Sequence, residues 1–155
     1  MSPSLEQDIG QRQFTSAHQK ALINLMYTNN HVVDQMNQVF KQFDISRQQY
    51  NVLRILRGQS PDPLSINVIK ERMIDRMSDA SRIVERLRAK ALVERKTNED
   101  DRRAVEIFIT EKGLDLLTRM DESVRGFEQM FGLLNEEDAI RFNDFLDRIR
   151  QITIV

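Results

Sequence analysis

Two runs of strand character, "LVERKT" and "AVEIFIT", bracket a knot of charge in an otherwise helical chain. Between Thr97 and Thr110 the sequence reads "TNEDDRRAVEIFIT", three acids and two arginines running straight into alternating apolar residues. Val105, Ile107 and Ile109 fall on one face of an extended segment, Glu106 and Phe108 on the other. Asn, Glu and Asp between the runs suit a turn. The pattern predicts a single β-hairpin, and a hairpin alone among helices needs a reason to be there.

The rest of the chain reads as helix. From Phe14 to about Phe43 there is neither Pro nor Gly, and Leu22, Met26, Asn29, Val33, Met36 and Phe40 recur at steps of four and three. That spacing is the seam of a long helix facing another helix. Residues 1–13, with Pro3 and Gly10, read as a frayed lead-in. Ser46 and Gln49 form a capping-box pattern for a helix carrying Tyr50, Leu53 and Leu56, closed by Gly58. "GQSPDP" is a loop. Ser65 can cap a short helix from Ile66 to about Arg72, with Ile66, Ile69 and Met73 on one face. A further helix spans Ser78 to Ala91. After the hairpin, Leu117, Met120, Val124, Phe127 and Phe131 again step by three and four. A last helix restarts at Asn135 and carries Phe142, Phe145, Ile149 and Ile152. The fold class is mainly α with one small β-hairpin.

Composition narrows the function classes. A chain of 155 residues with 40% apolar and 30% charged residues supports one compact soluble domain, 1–155. No apolar run approaches the ~20 residues of a membrane span, and the start lacks signal-peptide character, so the expected location is cytoplasmic. With no cysteine, disulfides, thiolate metal sites and thiol redox switches are excluded. His18 and His31 are the only histidines, too few for a metal site built on imidazole. No Ser/His/Asp set, glycine-rich phosphate loop or metal spacing marks an enzyme, and no cofactor is implied. The net charge of −1 hides an asymmetry: residues 65–103 hold 11 Lys and Arg against 8 Asp and Glu, the remainder 12 against 16. The middle is locally basic.

On a helical wheel the segment 78–91 puts Ala80, Ile83, Val84, Leu87 and Ala91 on one buried face. Ser78, Ser81, Arg82 and Glu85 lie opposite, with Arg86 beside them. Short hydroxyls and arginines on the N-terminal half of a helix suit the major groove, where Arg bonds guanine bidentately. Helix N-termini also favour phosphate. With the short helix and turn before it, this segment makes a helix–turn–helix whose second helix reads DNA. The hairpin then becomes a wing. A wing reaches the neighbouring minor groove through a long, permanently charged Arg at its tip, and Asp101 beside Arg103 can brace that guanidinium.

The stretch from Ser46 to Gly113, above all "SRIVERLRAKALVERKTNEDDRRAVEIFITEKG", resembles the MarR (multiple-antibiotic-resistance regulator) family of bacterial winged-helix regulators. Asp101-x-Arg103 followed by Ile109-Thr110-x-x-Gly113 is similar to that family's wing signature, with Ile where Leu is usual. The chain also departs in Ala91, where the family has Gly, and in Ile69-Lys70, where it has Leu-Ala. The resemblance implies a winged helix–turn–helix lobe, 46–110, flanked by dimerisation helices at 14–43 and 111–155. It implies a homodimeric repressor on double-stranded, pseudo-palindromic DNA, released when a small aromatic or phenolic effector binds between the dimer helices and the lobe. In that scheme Ser78, Ser81 and Arg82 meet base edges, Arg86 and Ser65 meet phosphate, and Arg103 with Arg102 beside it serves the wing, braced by Asp101. The alternative is a winged-helix protein-interaction module that has lost DNA binding, for which Lys70 and the near-zero net charge speak.

Overall fold

The computed structural model describes residues 4–97 and 105–153. In chain order the elements are α1 (Leu5–Ile9), α2 (Ala17–Gln42), α3 (Arg47–Arg57), α4 (Ile66–Arg72), α5 (Ala80–Ala89), β1 (Val93–Thr97), β2 (Val105–Ile109), α6 (Glu111–Arg125), a 3-10 helix (Gly126–Phe131) and α7 (Glu136–Arg150). They divide into two compact units, residues 1–47 and 48–155. The expected class, mainly helical with one antiparallel hairpin, is what the chain adopts.

In the first unit the lead-in is not frayed throughout. Ser4 and Gln7 sit three apart, and the Gln7 side chain accepts the Ser4 N–H at 3.0 Å, so a capping pair starts α1 despite its polar surroundings. Gly10, at φ +67°, ends it. Lys20 on α2 pairs with Glu6 on α1 at 2.5 Å. The long helix begins at Ala17, three residues later than Phe14, because Ser16 accepts the Gln19 N–H and fixes the N-terminus there. Along α2 the apolar seam changes character. Leu22 and Met26 are 60% and 61% exposed, Val33 and Met36 are half-buried, and Phe40 is fully buried.

The second unit is built around Val52, Leu53, Leu56, Ile69, Val84, Leu87, Ile107, Leu117 and Met120, all fully buried. α4 packs on α5 and on β2, and α5 packs on β1. β1 and β2 pair antiparallel with Val93 opposite Ile109 and Thr97 opposite Val105. The hairpin is not left to itself. Leu64, before α4, exchanges two backbone hydrogen bonds with Ile107, at 3.0 and 2.9 Å. This adds a third extended segment beside β2 and carries the hairpin's root into the core. Two strands alone are marginal in water, whereas three segments over an apolar layer are not.

The junctions around the hairpin are equally specific. α5 ends at Ala89, and Ala91 adopts the left-handed conformation at φ +58°, with the Leu92 N–H returning to the Leu87 carbonyl at 3.0 Å. The helix therefore stops in the manner usually given to glycine, without the glycine. Ala91 is consequently exposed, outside the buried face on which the wheel put it. At the far end, the Thr110 hydroxyl donates to the Ala91 carbonyl at 2.9 Å and accepts the Gly113 N–H at 3.1 Å, capping α6. Gly113 has no room for a side chain. An added Cβ would sit against the Leu92 carbonyl and within 2.7 Å of Ile109 Cγ1. The Arg57 guanidinium then reaches Asp121 at 2.9 Å, tying α3 to α6. The stepping pattern through Phe131 does not stay one α-helix: it tightens to 3-10 from Gly126, a residue that supports the α-helix poorly. α7, capped by Asn135 onto the Asp138 N–H at 2.8 Å, buries none of its residues.

Two stability measurements follow from the junctions. Ala91→Gly is expected to raise stability by about 0.5–1 kcal/mol, since relief of the left-handed strain exceeds the entropy of the added glycine. Gly113→Ala is expected to lower it by about 1–3 kcal/mol, because the clash is with backbone and cannot be relieved by a rotamer. Urea or thermal unfolding of the two variants reads both. A destabilised Ala91→Gly protein would contradict the strained junction.

Candidate nucleic-acid interface

The surface of interest starts at Ser65. Its hydroxyl accepts the Val68 N–H at 3.3 Å and caps α4, as the sequence indicates. On α4 Ile69 is fully buried and Lys70 exposed, so the lysine that departs from the family pattern points out without disturbing the packing of its neighbour.

Between α4 and α5 the chain turns through residues 73–79. Met73 anchors the turn in the core. The Asp75 carboxylate accepts the Met77 N–H at 3.1 Å and its carbonyl accepts the Ser78 N–H at 3.2 Å. Asp79 then caps α5, taking the Arg82 N–H on its carboxylate at 3.1 Å. This corrects the sequence reading. Ser78 does not open the reading helix; it is half-buried in the turn, and α5 runs from Ala80 to Ala89 instead of 78 to 91. Asp79 takes the capping position, where its carboxylate also meets the positive end of the helix dipole.

Within α5 the expected two faces are present. Ala80, Val84 and Leu87 are buried and Ile83 half-buried, while Ser81, Arg82 and Arg86 are exposed. Glu85 sits among them in a role the sequence did not reveal. It accepts from the Arg88 Nε at 3.0 Å and from the Arg95 guanidinium on β1 at 3.3 Å. The hydrogen bond from Arg88, more than the charge of either arginine, holds its carboxyl below the ordinary carboxylate range. The Glu–Arg spacing of three was visible as a helix-surface pair. Arg95 was not, because only the packing of β1 on α5 brings it there. The arginines are thereby sorted. Arg88 and Arg95 are engaged by a carboxylate, whereas no ion pair is formed by Arg82 or Arg86 among the described residues. The wing-tip residues Asp101, Arg102 and Arg103 lie outside the described residues.

A cleft of about 420 Å³ lies between α4 and α5, bordered by Asn67, Lys70, Arg76, Ser78 and Ser81. Lys70 of α4 and Arg76 of the turn thus bring cations to the side where Ser81 is displayed, beside the carboxylate of Asp79 that caps α5. Nothing in this surface resembles a catalytic constellation, and among the described residues no group of three His, Asp or Glu side chains could hold a metal. No helix among them is long and apolar enough to cross a membrane.

Comparison with known proteins agrees with this geometry. A family model described as the MarR family matches residues 43–104, spanning both helices of the helix–turn–helix and β1 and ending before β2. The chain is 30% identical over 128 residues to the HTH-type transcriptional repressor IacR of Pseudomonas putida, covering 82% of this chain and 72% of that protein. Among solved structures it is similar to a MarR transcription factor from Planctomyces limnophilus, with TM-score 0.67, 32% identity, and 91% and 100% of the two chains covered. It shares its fold with Bordetella bronchiseptica BpsR, whose DNA binding is regulated by 6-hydroxynicotinic acid, at TM-score 0.71 and 22% identity over 84% and 98% of the chains. With its helix–turn–helix, its hairpin and these relatives, the chain belongs to the MarR family of DNA-binding transcriptional regulators.

Proposed function

We propose that the protein is a homodimeric repressor that occupies a pseudo-palindromic operator and leaves it when a small aromatic or phenolic effector binds. The observation that carries this reading is the sorting of arginines along α5. Glu85 engages Arg88 and Arg95, and Arg82 and Arg86 stand exposed without a carboxylate among the described residues. Unpaired arginines on a rigid helix, next to exposed hydroxyls, match the donor requirements of base edges and phosphates. In this scheme Ser81 and Arg82 read base edges, while Arg86 and Ser65 hold phosphate. Ser78 joins Ser81 from the turn. Arg103 and Arg102 serve the minor groove from the wing, with Asp101 as brace.

Residues 46–110 form the DNA-binding lobe in this reading, and 14–43 and 111–155 supply the dimer contacts. Support for the dimer lies in apolar side chains left in the open. In the first unit these are Leu22 and Met26 on α2; in the second, Ile140, Phe145 and Ile149 on α7. A helix that buries nothing yet carries such a stripe is explained by a partner surface. Two-fold pairing would set two reading helices about one turn of DNA apart. The name of the Pseudomonas relative supports repression, and regulation of BpsR by an aromatic acid supports an effector of that class. The first unit also offers an open cleft of about 800 Å³ beside Asn24, Tyr27 and His31, with room for such a molecule.

Fluorescence anisotropy on the protein's own upstream DNA, against a scrambled duplex at two salt concentrations, tests the reading. Tight, salt-sensitive preference for the upstream duplex is expected, relieved by an aromatic acid or phenol. Equal, weak and salt-insensitive binding to both would favour a protein-interaction module instead. Arg82→Ala should cost about 1–3 kcal/mol and relax the preference at one base position. Arg86→Ala should weaken all duplexes alike and reduce the salt slope by about 1. If the two variants behave identically, the division between base and phosphate contacts is wrong. Ile149→Glu is expected to convert the dimer to a monomer in light scattering; an unchanged mass would remove α7 from the dimer contact.

A further inference from the structure

One side chain beside the reading helix is costly to leave where it is. Met77 is 94% exposed in the turn before α5, although methionine is an apolar residue that ordinarily fills core gaps. The turn that displays it is built rather than loose. Asp75 holds the Met77 N–H on its carboxylate and the Ser78 N–H on its carbonyl, and Met73 fixes the entrance in the core. Met77 borders the same 420 Å³ cleft as Ser81 of α5 and Asn67 and Lys70 of α4, next to Arg76. A lone thioether is therefore presented among cations and hydrogen-bond donors, beside the Asp79 carboxylate that is engaged in capping α5.

This mixture fits one kind of ligand. A protein partner would call for a contiguous apolar patch of some hundreds of Å², and the turn offers only Met77 and Ile74, the latter 76% exposed and away from the cleft. A DNA major groove supplies what the cleft asks for: phosphates for the cations, base edges for the hydroxyl and amide, and one small apolar group, the C5 methyl of thymine. We infer that Met77 is a specificity-determining residue that packs on a thymine methyl at the edge of the α5 footprint. The inference rests on the DNA-reading role proposed for α5 and adds a contact from outside that helix. Burying one methyl against the thioether should be worth roughly 4-fold in affinity.

The test uses the full-length protein and a duplex enriched by it from a randomised pool. Each thymine is replaced in turn by deoxyuridine, which deletes the methyl and keeps the hydrogen-bonding edge. Wild-type protein is expected to lose roughly 4-fold at one thymine or its symmetry mate. Met77→Ala should bind the two duplexes equally, at the weaker level, and Met77→Leu should restore the difference. Ile74→Ala should behave as wild type. Because Met77 contributes to the turn only through its backbone N–H, these variants should melt like the parent. The inference is overturned if Met77→Ala keeps the wild-type ratio, if Ile74→Ala abolishes it equally, or if an enriched duplex has no deoxyuridine-sensitive position. If no duplex is enriched at all, the DNA-reading role of α5 falls, and this contact with it.

Discussion

Two backbone hydrogen bonds, exchanged between Leu64 and Ile107, underlie the geometry of the second unit. They convert an isolated hairpin into part of a three-segment arrangement whose central residue, Ile107, is wholly buried. Leu64 also lies immediately before the cap of α4. One pair of bonds thus fixes where the first helix of the helix–turn–helix begins and where the hairpin's root must be. Since α5 packs on both α4 and β1, its place follows from the same constraint. The opening oddity of the sequence, strands in a helical chain, is resolved by this bracket. The hairpin is held at its base, where Leu64 pairs with Ile107.

The charge arrangement depends on that bracket in turn. Arg95 reaches Glu85 only because β1 leaves α5 through the tight Ala91 turn and packs back on it. With Arg88 it shares one carboxylate, so two of the arginines on this surface are engaged by Glu85. Arg82 and Arg86 form no ion pair among the described residues. A net charge near zero over the whole chain is no obstacle to a basic contact surface when the acids are placed in this manner.

Much of the fold was legible because local signals agreed with it. Ser65 and Asn135 cap their helices, the alternating run from Val105 forms β2, and the wing signature's Gly113 occupies a site where a side chain cannot fit. Errors arose where two local signals competed. Ser78 and Asp79 are both capable caps, and only the turn bonds to Asp75 decide for Asp79. Ser4 and Gln7 form a helix start that Pro3 and Gly10 obscure in a linear reading. Of the proposed contact surface, the exposed row Ser81, Arg82 and Arg86 could be read from helical phase alone. The Glu85–Arg95 pair and the Met77 cleft could not. Each joins residues from separate elements, and no periodicity encodes such a meeting.

Ala91 carries a consequence for the joint between α5 and β1. A β-carbon in left-handed backbone is a small load placed on the joint between α5 and β1, where glycine would carry none. That load is borne by the return bond from Leu92 to Leu87 and by the Thr110 hydroxyl on the Ala91 carbonyl. Strain at a joint narrows the free-energy gap between its closed state and a locally opened one without altering the closed geometry. The backbone strain thus lies at the end of α5, whereas the Asp79 cap at its start carries none. The one strained residue at this joint stands where the helix hands over to the hairpin, away from Ser81 and Arg82.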